Sequence, residues 1–228
     1  MLLTSMALHL LMLGPPGAGK GTQSERFARD RGVPKISTGD MLRAAVHDGT
    51  EVGLRAKVIM DRGELVSDEV MIGIVRERLS RNDVRDGFIL DGFPRTVAQA
   101  VALDEIMRGW DPLIILDIVV PEAELVRRLS TRLICKECGH NAELGHVDVK
   151  ERCGICGGEL VQRTDDSGAV VLERLKVYKT ATKPLVDFYR VRPTFRSVNG
   201  AQAPDRVAAD LAAAIIEVGN EWRVGGVR

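Results

Sequence analysis

The run GPPGAGKGT sets glycines at positions 14, 17, 19 and 21 around Lys20. Backbone N–H groups freed of side-chain bulk fold into a concave nest that points at anion oxygens, and a lysine within reach adds a full positive charge. The chemistry that this stretch suits is the grip of a polyphosphate. Farther along, Cys135-x-x-Cys138 and Cys153-x-x-Cys156 use all 4 cysteines of the chain. Two such pairs at this spacing suit a tetrahedral site of four thiolates, filled by zinc first and iron second. Redox use of one pair is the rival reading, but a reactive dithiol belongs at the start of a helix and two would be redundant. Gly139 and Gly157 each follow the second cysteine of a pair, where a residue tolerant of positive φ lets the chain turn tightly about an ion.

These groups need a frame. The apolar run ALHLLML over 7–13 reads as a buried strand of a parallel sheet, ended by Gly14 and Pro15, and residues 22–30 suit a helix leaving the glycine loop. Further strands are expected at 87–90, 113–119 and 194–198. Helices are expected at 39–47, 68–80, 96–108, 121–131, 170–190 and 204–218, the last with Pro204 at its start. That alternation predicts an α/β fold. The segment from about 132 to 167 breaks the rhythm, with glycine, cysteine and charge but no long apolar run. It is expected to be an insertion that folds around a metal in place of a hydrophobic core.

The bulk numbers exclude some partners. Thirty-two basic residues balance thirty-two acidic ones, and aromatics make up only 4% of the chain. Such a protein lacks the basic field and stacking platforms on which nucleic-acid grooves depend, so any anion site must come from locally gathered Arg and Lys. The opening MLLTSMALHLLMLG is apolar but has no basic leader or small-residue cleavage site and is too short to span a bilayer. The expectation is a cytoplasmic protein with no membrane partner, in a reducing compartment where disulfides are rare.

The strict phosphate loop carries Ser or Thr directly after its lysine; here Gly21 stands between Lys20 and Thr22. In that form, GKGTQ followed in order by ISTGDMLR (36–43), GELVSDE (63–69), LDGFPRTVAQA (90–100) and RTDD (163–166) resembles the adenylate kinases along nearly the whole length. The resemblance implies a P-loop nucleoside-triphosphate-hydrolase-like three-layer fold with a parallel five-stranded sheet. Its core would take in 1–36, 67–131 and 168–228, with an NMP-binding helical insertion at 37–66 and a zinc-ribbon-like lid at 132–167. The implied reaction is phosphoryl transfer from Mg²⁺-bound ATP to AMP, giving two ADP, in a monomer with one structural Zn²⁺ held by Cys135, Cys138, Cys153 and Cys156.

By the same resemblance Gly17, Ala18, Gly19, Lys20, Gly21 and Thr22 would cradle the ATP phosphates, and Arg43 and Arg95 would clamp the AMP phosphate. Arg132, Arg163 and Arg174 would approach the transferring group, Arg163 and Arg174 reaching the AMP side as well. Arg128 would stack on the ATP base, unless VRRLSTRLIC is an ordinary solvated helix face. Thr38, Val66 and Gln99 would surround the AMP base, with Gln99 able to pair through both ends of its amide, and Gly92 would also contact AMP. Asp91 would anchor Mg²⁺ through water, Asp40 being the weaker candidate, and Asp165 and Asp166 would orient the lid arginines. His140 and His146 are able to replace a thiolate but are expected to be solvated. Departures from the family pattern are the missing Asn-Pro-Pro stretch of the lid, Leu133 and Leu172 in place of basic residues, and Asn199 in SVNG. The competing readings are a UMP or CMP kinase, in which Thr38 and Gln99 would differ, and a zinc-ribbon module with a nucleic-acid-driven ATPase.

Overall fold

The computed structural model describes residues 7–142 and 152–225. Strand β1 (Leu8–Leu13) is the middle of a parallel sheet with β2 (Lys35–Ser37), β3 (Gly87–Asp91), β4 (Leu113–Val119) and β7 (Phe195–Asn199), in the order β2-β3-β1-β4-β7. Leu11 pairs with Leu90 on one side, and Met12 with Leu116 on the other. The period of two then sorts the side chains. Leu10 and Met12 face a layer built by α1 (Lys20–Arg31), α6 (Glu122–Ser130), α7 (Gly168–Val177) and α9 (Pro204–Gly225). Leu11 and Leu13 face the opposite layer, built mainly by α4 (Asp68–Leu79), α5 (Val97–Ile106) and α8 (Pro184–Arg190). The result is a three-layer α/β fold in which both faces of the sheet are buried, as a parallel sheet requires. Among the described residues no helix is long and apolar enough to cross a membrane.

Two excursions leave this core. Helices α2 (Thr38–His47) and α3 (Glu51–Asp61) form a hairpin, with the Ser37 hydroxyl accepting from Asp40 N at 3.2 Å and the Thr50 hydroxyl from Gly53 N at 3.1 Å. The two helices meet so closely that a Cβ on Gly53 would lie 2.0 Å from the carbonyl oxygen of Ala45. The other excursion has an antiparallel pair, β5 (Leu133–Cys135) and β6 (Leu160–Gln162), with Cys135 ending β5 and the other three cysteines in the turns between the strands. Residues 1–6, read above as part of the apolar opening, and His146 lie outside the described residues.

Several expected elements have different bounds. The three-residue β2 and helix α3 were not foreseen, and the last helix continues past 218 to Gly225. The single helix expected over 170–190 is two, α7 and α8, joined by a π-helical turn at Tyr178–Thr182. Pro184 has no N–H to continue the ladder of α-helical bonds, and it opens α8 at its first turn, where no such bond is needed.

Candidate active site

The glycine loop joins β1 to α1 with Gly14, Gly17 and Gly19 at φ of 136°, 83° and 94°. At Gly14 the need is steric as well, since a Cβ there would stand 2.6 Å from Ile118 O on β4. The loop forms one wall of a cleft of about 820 Å³. Lys20 Nζ turns back onto the loop, donating to Gly14 O at 2.7 Å and Pro15 O at 2.9 Å. Burial brings this ammonium down to about 8; Asp91 opposes the shift, and Arg95, Arg174 and Arg132 add to it.

Arginines from distant parts of the chain converge on the same space. Arg132 makes a two-pronged contact with the buried Asp166, 2.7 Å at each prong. Arg174 Nη1 donates to the same carboxylate at 2.7 Å, and it also lies 3.1 Å from Asp165 Oδ2. Burial alone would raise the Asp165 carboxyl, but Arg174, Arg163, Arg43 and Arg132 together hold it below its ordinary range. Arg95 Nε donates to Gly92 O at 2.8 Å, and Arg163 Nη2 to Asn141 Oδ1 at 3.1 Å. Burial, reinforced by neighbouring guanidinium groups, lowers both Arg95 and Arg163 to about 10. A site in which cations depress one another is one that a polyanion relieves.

At one end of the cleft Thr38 Oγ1 donates to Gly92 O at 2.8 Å. Gln99, 1% exposed, accepts from Arg95 N at 2.8 Å and donates to Asp68 Oδ1 at 2.8 Å. That leaves its amide one lone pair and one N–H for a ligand. Val66 lines this end. Arg43 is hydrogen-bonded to Asp40, and Lys35 Nζ is 3.3 Å from the same carboxylate. Burial pushes Asp40 up, yet Arg43 and Lys35 outweigh it and bring the carboxyl to about 2. Two protein cations therefore claim Asp40. Asp91 ends β3, and a Cβ on Gly21 would stand 3.5 Å from its Oδ2.

At the other end Arg128 is half-buried, donating to Glu124 at 2.7 Å and to Gly200 O at 3.0 Å. Residues 17–22, Thr38, Arg43, Val66, Asp91, Gly92, Arg95, Gln99, Arg128, Arg132, Arg163 and Arg174 all line the one cleft. The parallel sheet explains why: loops at the carboxyl ends of β1, β2, β3 and β4 share one side of it.

The four cysteine sulfurs lie within 4.8 Å of one another, Cys135 to Cys156 at 3.4 Å and Cys138 to Cys153 at 3.6 Å. A tetrahedron with zinc–sulfur bonds of ~2.3 Å has edges of about 3.8 Å, so the set fits such an ion. Two tight turns build it: Gly139 N donates to Cys135 O at 2.9 Å and Gly157 N to Cys153 O at 2.8 Å, both glycines having positive φ. Backbone N–H groups of Cys138 and Ile155 point at the sulfurs of Cys135 and Cys153. His140 is not solvated as expected. It is half-buried with Nδ1 3.1 Å from Glu25 Oε1 on α1, so the folded lid touches the core. Asn141, Asp68, Glu124 and Glu25 were missed by sequence reasoning, because no local spacing marks them; each matters through a partner brought near by folding.

The family model described as adenylate kinase matches residues 12–194. An adenylate kinase of Archaeoglobus fulgidus is 49% identical over 215 residues, covering 92% of this chain and 99% of the relative. One from Thermodesulfovibrio yellowstonii is 48% identical over 210 residues (90% and 98%), and one from Bacillus cytotoxicus 50% over 208 residues (90% and 96%).

Proposed function

This chain belongs to the adenylate kinase family, and on that premise we propose that it moves the γ-phosphoryl group of ATP to AMP, giving two ADP, by placement and charge. A phosphate oxygen of AMP attacks the γ-phosphorus while the bond to the β-bridging oxygen breaks, and that oxygen leaves on ADP. The second pKa of a phosphate monoester lies near ~6, so the attacking oxygen is ionised at neutral pH and needs no side-chain base. What remains is to hold two anions end to end and to balance charge on the passing group.

The observation that carries the reading is the convergence of Lys20, Arg95, Arg132, Arg163 and Arg174 on one cleft with the glycine loop. In this reading Gly17–Thr22 and Lys20 hold the ATP phosphates, Arg128 packs on the ATP base, and Arg43 and Arg95 hold the AMP phosphate. Thr38, Val66 and Gln99 surround the AMP base, and Gly92 also contacts AMP; the free lone pair and N–H of Gln99 match the two-sided edge of adenine. Arg132, Arg163 and Arg174 face the transferring group. The magnesium ion that accompanies ATP supplies further charge balance, and Asp91, set among the cations at the end of β3, would hold its water shell. Zinc would bind Cys135, Cys138, Cys153 and Cys156 with every position filled, and so would fold the lid without touching substrate.

The reading takes 37–66 and 132–167 as two flaps on a monomeric core acting in the cytoplasm. The test is a coupled assay with ATP and each nucleoside monophosphate in turn. AMP is expected to be preferred. A clear preference for UMP or CMP would overturn the roles of Thr38 and Gln99, and ATP consumption indifferent to any monophosphate would overturn the whole. The nucleic-acid ATPase alternative is not favoured, since balanced charge, few aromatics and all three relatives point away from it.

A further inference from the structure

The arginines of the cleft are not held alike. Arg132 and Arg174 both lean on Asp166, a carboxylate that offsets part of their charge. Arg163 is held at Nη2 by a neutral amide, the Asn141 side chain, and its Nε is buried with no hydrogen-bond partner among the described residues. The same amide reaches the phosphate loop. A Cβ on Gly21 would lie 3.5 Å from Asn141 Nδ2 and 3.5 Å from Asp91 Oδ2, so an amide donor and a carboxylate flank the residue after Lys20. The backbone of Asn141 is itself fixed. It bridges Ile134, and its neighbours bond to the lid strand, Cys135 N to His140 O at 2.8 Å and Ala142 N to Leu133 O at 3.0 Å.

We propose that Asn141 is a positioning residue for phosphoryl transfer, its carbonyl oxygen fixing the Arg163 guanidinium and its N–H₂ facing the phosphates seated over Gly21. The inference rests on the phosphoryl-transfer reading above. A neutral acceptor orients a guanidinium without spending its charge, which leaves Nε to an incoming phosphate oxygen. An amide also offers that phosphate a donor, where a carboxylate would repel it. Because Asn141 comes two residues after Gly139, which turns the first Cys pair, the metal-folded turn sets the register of a group at the reacting end of the cleft. That gives the lid a direct part in alignment beyond excluding water.

The test compares the parent protein with Asn141→Ala and Asn141→Asp, measuring kcat and KM for ATP in ADP formation, with zinc per chain and melting temperature recorded for each. Asn141→Ala is expected to lower kcat about 10- to 100-fold with zinc content unchanged. Asn141→Asp keeps an acceptor for Arg163 but sets a negative charge against the phosphates. It is expected to raise KM for ATP several-fold above that of the alanine variant. Values for both variants within two-fold of the parent would overturn the proposal. So would losses that track loss of zinc in both, since the residue would then serve only the fold of the lid, and so would a KM for ATP no higher in the aspartate variant than in the alanine one. A parent without AMP-dependent ADP formation would instead remove the reading beneath it.

Discussion

Lys20 carries an ordinary charge in an unusual setting, since burial and three arginines bring its ammonium to about 8 while Asp91 pulls the other way. Bound phosphate must raise that value again, because an anion favours the charged form. The sign then follows: near pH 8.5 the free protein holds Lys20 largely neutral and the ATP complex holds it charged, so binding takes up protons, whereas at pH 7 Lys20 is mostly charged in both states and the uptake is much smaller. Calorimetric titration of ATP in buffers of different ionisation enthalpy at pH 8.5 should show the uptake, and Lys20→Arg, which stays charged, should abolish it. Equal proton exchange in both proteins would mean that Lys20 does not meet the phosphates. Arg95 makes a second case. Among the described residues its side chain bonds to the backbone at Gly92 and to no carboxylate, so Arg95→Ala strands no hydrogen-bonded carboxylate there. Turnover should fall about 10³-fold while the melting temperature barely moves, and near-normal turnover would count heavily against its role.

Elements set these side chains in place through a few close contacts. The hairpin of α2 and α3 depends on Gly53, whose absent Cβ leaves room for Ala45 O. Gly53→Ala should destabilise the protein by about 1–3 kcal/mol in chemical denaturation, as overpacking does, and an unchanged midpoint would mean that the hairpin does not depend on this close approach. The lid depends on its thiolates: about one zinc per chain is expected in the parent, and Cys153→Ser should lose it and melt at a lower temperature. A metal-free parent of unchanged stability would refute the ligand set. How legible such elements are follows from where their information lies. The glycine loop, the Cys pairs and the strands at 87–91 and 113–119 are written in consecutive residues, so spacing and apolar runs reveal them. The strand Lys35–Ser37 is too short to show a period, and α3 keeps Val52, Leu54 and Val58 exposed, which blurs its apolar face. The π-helical turn at Tyr178–Thr182 lies inside a continuous helical pattern, so periodicity does not reveal it. Pairs such as His140 with Glu25, 115 positions apart, leave no local trace at all.

For the molecule as a whole, the two flaps approach the cleft from opposite chemistry. The hairpin packs Leu42 and Ala56 into the apolar layer that holds Ile36 and Leu90, so its fold is continuous with the core. The lid has Cys135 and Cys153 as its buried side chains among the described residues of 132–163, and Ile155, 70% exposed, sits between its second pair of thiols. With so little apolar burial, the support expected for its order is an ion on the four thiolates, whereas the order of the hairpin rests on burial. Stripping the metal from this ATP:AMP phosphotransferase should then separate the two substrates. AMP, held mainly by residues from the hairpin and the core with Arg163 alone reaching it from the lid, should lose much less affinity than ATP. ATP should bind more weakly, because the lid that carries Arg132, Asn141 and Arg163 no longer holds them over the glycine loop, and transfer should fall together with ATP affinity. Titrating each nucleotide into metal-free protein measures both halves. If AMP affinity collapsed along with that for ATP, the flaps would be one cooperative unit, and the metal would be holding up the sheet that joins them.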